Sequence, residues 1–195
     1  MLNLFAEANS VFSVWQFVRA LGLTAYILLF ITITLGIIQS TQLIPKCLRI
    51  LLFNLHNTTG WAGLFLGLTH GLALLLDDYT SFSLNSILLP LSSDLKPLET
   101  GAGTLTLYIL ILIIVSSYIK KHIGRKGWRV VHYFSFIGFC LALYHGVTLG
   151  SDTGQEEIYY MYIITASIIL FMLLVKIFLA IYKRGIQREA SVKRG

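Results

Sequence analysis

Five apolar runs alternate with short polar links along this chain: Val14 to Ser40, Leu48 to Leu76, Gly103 to Tyr118, Trp128 to Leu149 and Tyr159 to Tyr182. A helix rises ~1.5 Å per residue and a bilayer's hydrocarbon core is ~30 Å thick, so each run reads as a membrane span. Inside lipid the backbone must satisfy its own hydrogen bonds, which makes each span a helix. The pattern predicts an all-α fold, an integral membrane bundle of five transmembrane helices forming a single domain over residues 1–195. Ahead of it, residues 1–12 mix Leu2, Leu4, Phe5 and Val11 with polar positions, the pattern of a short interfacial helix or of a frayed terminus. The opening MLNLFAEANS lacks a basic n-region, so insertion is expected to start with the first span rather than with a cleaved signal.

Composition agrees: 56% of the 195 residues are hydrophobic and only 12% charged, against roughly 25% charged in soluble domains. The net charge of +6 does not point to nucleic acid, because the basic residues are sorted by link rather than gathered in one patch. Lys46 and Arg49 follow the first span, Lys120, Lys121, Arg125, Lys126 and Arg129 lie between the third and fourth, and Lys183, Arg184, Arg188, Lys193 and Arg194 form a basic tail over 183–195. The opposite links hold Glu7, Asp77, Asp78, Asp94, Glu99, Asp152, Glu156 and Glu157 with the single base Lys96. By the positive-inside rule the N-terminus is outside and the C-terminal tail cytoplasmic, in a multi-pass protein of the plasma membrane.

Histidines change this picture from scaffold to site. His56 and His70 lie in the second span, fourteen residues apart, so an ideal helix places them within about 40° of each other and ~21 Å apart along its axis. Gly63 and Gly67 fall within about 20° of the His56 direction, leaving that face nearly bare. The fourth span answers with His132 and His145. Two helices each carrying an inner and an outer imidazole match two six-coordinate haems stacked across a membrane, His56 with His132 inside and His70 with His145 outside. No C-x-x-C-H is present, and Cys47 and Cys140 form no disulfide pattern, so any haem would be held without covalent attachment. A transition-metal transporter, the competing reading, calls for carboxylate or sulfur ligands at the same depth, and the spans carry none there. Buried histidines satisfied by neighbouring helices are the plain structural alternative.

The segments HNTTGWAGLFLGLTHG and WRVVHYFSFIGFCLALYHG resemble the ferric reductase-like transmembrane domain family. That family includes ferric-chelate reductases, the membrane part of NADPH oxidases and the haem subunit of a bacterial methionine sulfoxide repair system. The resemblance covers most of the chain, from about Arg19 to the fifth span. It implies a membrane cytochrome with two haem b groups, iron-ligated by His56, His132, His70 and His145.

His132 and His145 are thirteen residues apart, about 140° on an ideal helix, whereas their presumed partners are nearly aligned. Either the fourth span is irregular near Gly138, or the two haems use different sides of it; the family resembled has the same asymmetry. Gly138 and Ala142 are expected to clear room for a porphyrin on the His145 face. Arg129, three residues before His132, is placed to meet a carboxylate of the inner haem, and Arg19 either meets one of the outer haem or snorkels to the headgroups. His122 reads as a solvated loop histidine, Lys176 as a snorkelling lysine and the third span as scaffold. The link from Asp77 to Thr100 contains SILLP, read as an amphipathic connector or as a cover for the outer site.

After the fifth span no glycine-rich phosphate loop follows, so the chain is not expected to bind its own flavin or nicotinamide. The expected function is transmembrane electron transfer: from a separate cytoplasmic flavoprotein or a quinol, through the two haems, to ferric iron, oxygen or a partner protein outside. The alternative within that class is a non-catalytic electron-transfer subunit of a larger reductase complex. Membrane lipid is the remaining partner.

Overall fold

A computed structural model describes residues 14–41, 44–77 and 82–192, with side chains described through residue 186. The interfacial helix expected over residues 1–12 lies outside the described residues. Among those described, six α-helices occur and no strand: α1 (Val14–Ser40), α2 (Lys46–Ala73), α3 (Leu84–Leu88), α4 (Pro97–Tyr118), α5 (Lys120–Leu149) and α6 (Glu156–Val192). All but α3 are long and apolar enough to cross a membrane.

Several helix ends depart from the hydropathy limits for local reasons. Pro97 opens α4 six residues before the apolar run, at a position where its missing N–H costs nothing, and Glu99 sits favourably in the first turn. The basic link expected between the third and fourth spans is helical from Lys120, so His122 lies on a helix rather than in a loop. That segment turns at Gly124, whose φ of 73° lies in the region a side chain disfavours.

Four helices form a ring: α1 packs on α2, α2 on α4, α4 on α5 and α5 back on α1, with α6 against α1 and α5 outside it. The helices that carry histidines, α2 and α5, are therefore diagonal partners. The core is built mostly from α1, through Tyr26, Leu29, Ile33 and Ile37, which meet Phe139 of α5 and Tyr162 and Ile169 of α6. Hydroxyls tie the helices where lipid offers no hydrophobic drive for association. Thr32 donates to Thr59 at 2.8 Å, Thr106 donates to the Gly138 carbonyl at 3.3 Å, and the Tyr26 and Thr165 hydroxyls share a 2.6 Å bond. The outward surface carries many exposed apolar side chains, with Phe65, Phe171 and Phe178 each about two-thirds exposed, as a lipid-facing surface requires.

The link before α4 folds onto the bundle. Ser83 caps α3, Ile87 is buried against Gly71, and the Ile87 and Leu88 carbonyls accept from the Thr104 and Tyr108 hydroxyls. SILLP therefore contacts both α2 and α4 beside His70 and Gly103.

Candidate functional site

All four span histidines point into the ring and meet across its diagonal. The ring centroids of His56 and His132 are 6.0 Å apart, and those of His70 and His145 are 6.2 Å apart. The first pair lies toward the end of the bundle bearing Lys46, Arg49, Lys120 and Arg129, the basic end. The second lies toward the acidic end, with Glu99 and Asp152. Neither pair is bonded within itself; each holds two imidazoles at a fixed separation.

The other diagonal, α1 and α4, orients the rings. His56 donates from Nδ1 to the Thr32 carbonyl at 2.9 Å, His70 to the Val18 carbonyl at 2.9 Å and His145 to the Glu99 carbonyl at 2.8 Å. A carbonyl can only accept, so Nδ1 carries the proton and Nε2 presents a bare lone pair, the state a metal requires. These acceptors lie inside helices and also serve their own ladders, using the second carbonyl lone pair for the histidine.

In all three cases a glycine stands four residues after the acceptor: Gly36 after Thr32, Gly22 after Val18, Gly103 after Glu99. A side chain there would cover the carbonyl. A Cβ on Gly22 would lie 2.8 Å from the His70 ring, one on Gly103 2.7 Å from the His145 ring and one on Gly36 3.3 Å from the His56 ring.

This arrangement explains the unequal spacing. Acceptors Val18 and Thr32 on α1 are fourteen residues apart, the same interval as His70 and His56 on antiparallel α2, so both rings lean on one neighbour. The irregularity considered near Gly138 is absent; within α5 the only non-helical backbone is at Gly124. Instead His145 leaves α5 toward α4, and His132, about 140° around the helix, finds no α4 carbonyl. Its Nδ1 is buried without a hydrogen-bond partner, a deficit of about 1–3 kcal/mol for a polar group of this kind. The ring stacks instead on Trp128, centroids 4.9 Å apart.

A cavity of about 650 Å³ opens at the His56–His132 pair, walled by α1, α2, α4, α5 and α6. Gly63 lines it while also packing on Leu28 of α1, and a Cβ on Gly67 would meet nothing within 4 Å. Gly138 does not clear such a face: it is buried against Ile109, because α5 approaches α4 there. Arg129 lines the cavity, and so do Lys120 and Lys176. Lys176, read from sequence as snorkelling, lies 5.8 Å from the Tyr133 ring centre, and Lys120 lies 3.8 Å over Trp128. Arg19 is engaged elsewhere. It follows Val18 directly, but its Nε donates to Asp152 Oδ2 at 2.8 Å in an ion pair joining α1 to the turn after α5.

Two imidazoles facing each other across one metal, at about 2.0–2.1 Å per bond, have ring centres about 6.3 Å apart, against about 5 Å when the two bonds meet at a tetrahedral angle. Both observed separations fit the facing arrangement. Among the described residues no three His, Cys, Asp or Glu side chains converge, so a bare ion wanting four protein ligands is poorly served. An iron already held by four porphyrin nitrogens needs two more, and each pair supplies two.

The fold and this paired arrangement define a multi-pass helical membrane protein with two bis-imidazole positions on one diagonal. Residues 21–143 match the family model described as ferric reductase like transmembrane component, and the chain belongs to that family. The matched stretch includes His56, His70 and His132 and stops two residues before His145. No curated protein and no solved structure matches the chain. Membership points to a membrane electron-transfer component.

Proposed function

We propose that this protein is a two-haem b-type cytochrome that carries electrons across the plasma membrane. A cytoplasmic flavoprotein or a quinol reduces the haem between His56 and His132. The haem between His70 and His145 then passes the electrons to ferric iron, oxygen or a partner protein outside. The observation that carries this reading is the pair of ring separations, 6.0 and 6.2 Å, with three imidazoles held as Nδ1 donors. A bound haem would supply the one-electron couple, and His56 with His132 and His70 with His145 would hold it in a low-dielectric surround. Lys120, Arg129 and Lys176 provide cations for its carboxylates at the basic end. Arg19 anchors the acidic end through Asp152.

The test is composition. The purified protein is expected to yield two haem b per chain by acid extraction and pyridine haemochrome, with low-spin spectra. One haem, or none, refutes the proposal.

Orientation follows from charge. The basic residues at one end place His56 and His132 on the cytoplasmic side and the N-terminus outside. A single cysteine introduced at Lys121, with Cys47 and Cys140 removed, is expected to react with an impermeant maleimide only in inverted vesicles. One at Asp94 is expected to react only in intact cells. The reverse pattern would exchange the two ends.

A further inference from the structure

His132 differs from the other three histidines in two independent respects. It has no acceptor for Nδ1, and no glycine notch closes against its ring. Continuing the α4 series shows why. Fourteen residues beyond Glu99 and Gly103 stand Ile113 and Ser117, the places a fourth acceptor and a fourth glycine would occupy. The Ile113 carbonyl instead accepts from Ser116 at 2.8 Å and from Ser117 at 2.9 Å. Ser117 in turn accepts from Trp128 Nε1 at 3.1 Å, and Trp128 stacks on the His132 ring with the two planes inclined by 30°. The fourth seat is thus filled by hydroxyls, and His132 is held by stacking alone.

An Nδ1 hydrogen bond fixes a ligating imidazole in place and raises its basicity, and losing one weakens metal affinity by about 10–100-fold. The three seated histidines have that support before any metal arrives. His132 has none, and it faces the roomy cavity.

We propose that His132 is the exchangeable ligand: its imidazole gives way to a small neutral molecule that binds haem iron, while His56 retains the haem. The basic end is then a site for diatomic ligands of the carbon monoxide class, and the acidic end is closed to them. This rests on the two-haem reading above.

Two measurements on the full-length protein test it. Carbon monoxide added to the dithionite-reduced wild type is expected to convert half of the haem absorbance and no more. In His56→Ala, which keeps only the acidic-end haem, it should convert none. Separately, haem content and spin state are measured in His132→Ala and His56→Ala, which remove the two ligands of one site. His132→Ala should keep two haems, one of them high-spin, whereas His56→Ala should keep only the low-spin haem of the acidic end. Equal haem contents in the two variants, carbon monoxide binding to neither haem, or its binding to the acidic-end haem would each overturn the proposal while leaving two haems in the wild type. A wild type without two haems overturns the reading beneath it, and the haemochrome assay records that separately.

Discussion

Gly103→Val is expected to lower the haem content from two per chain to one. The substitution removes no ligand, yet even a Cβ at this position would lie 2.7 Å from Cε1 and 2.8 Å from Nδ1 of His145. Both separations are far inside van der Waals contact, and helix backbone fixes the glycine side. His145 must therefore swing away, which breaks its bond to the Glu99 carbonyl and changes the 6.2 Å separation of its ring from His70. The acidic-end haem should be lost, and the remaining haem should keep its low-spin spectrum and its reaction with an electron donor. Gly127→Val makes the control, since a Cβ there meets only the Ile123 side chain at 3.7 Å. Two haems retained in Gly103→Val would show that the notch does not seat the ligand.

The second large effect is expected from His56→Ala. Here the haem that receives electrons is lost, because the remaining imidazole, His132, lacks a partner for Nδ1. Reduction of the surviving haem by a flavoprotein supplied at the basic end should fall by at least about a hundredfold, the upper range for losing metal-site support. Dithionite, which reaches either side in detergent, should still reduce it fully. If the flavoprotein reduces the surviving haem at the wild-type rate, electrons enter elsewhere and the proposed direction of transfer fails. In the wild type, the flavoprotein rate should fall as salt screens Lys120, Lys121, Arg125 and Lys126, whereas a quinol arriving through the bilayer should be indifferent to salt.

Much of this was legible in the sequence. The spans follow from hydropathy because lipid leaves a helix as the only economical backbone for such runs. The pairing of His56 with His132 and of His70 with His145 follows from matched depth along two helices. What escaped was the part held by main chain. Gly22, Gly36 and Gly103 read as ordinary small residues in apolar runs, and the carbonyls of Val18, Thr32 and Glu99 have no letter of their own. One signal was present: Gly22 and Gly36 repeat at the fourteen-residue interval of His56 and His70. Span three was read as scaffold for the same reason, although α4 seats His145. Gly138 was misplaced because angle around one helix says nothing about which neighbour fills the space, and Ile109 of α4 does. Arg19 drew attention as a lone cation in a span, while its partner Asp152 lies 133 positions away, beyond any local pattern.

Because three of the four span histidines are steadied by peptide carbonyls, deletion mutagenesis along α1 would be nearly blind to that role. Trimming Val18 or Thr32 to alanine leaves the acceptor oxygen in place, so a conventional alanine scan would score both as neutral for ligand seating. The damaging changes are the ones that add atoms, at Gly22 and Gly36. Natural variation in this helix should accordingly be generous in side-chain identity and strict about size at two positions, and a survey that ranks residues by what their removal costs would rank it backwards.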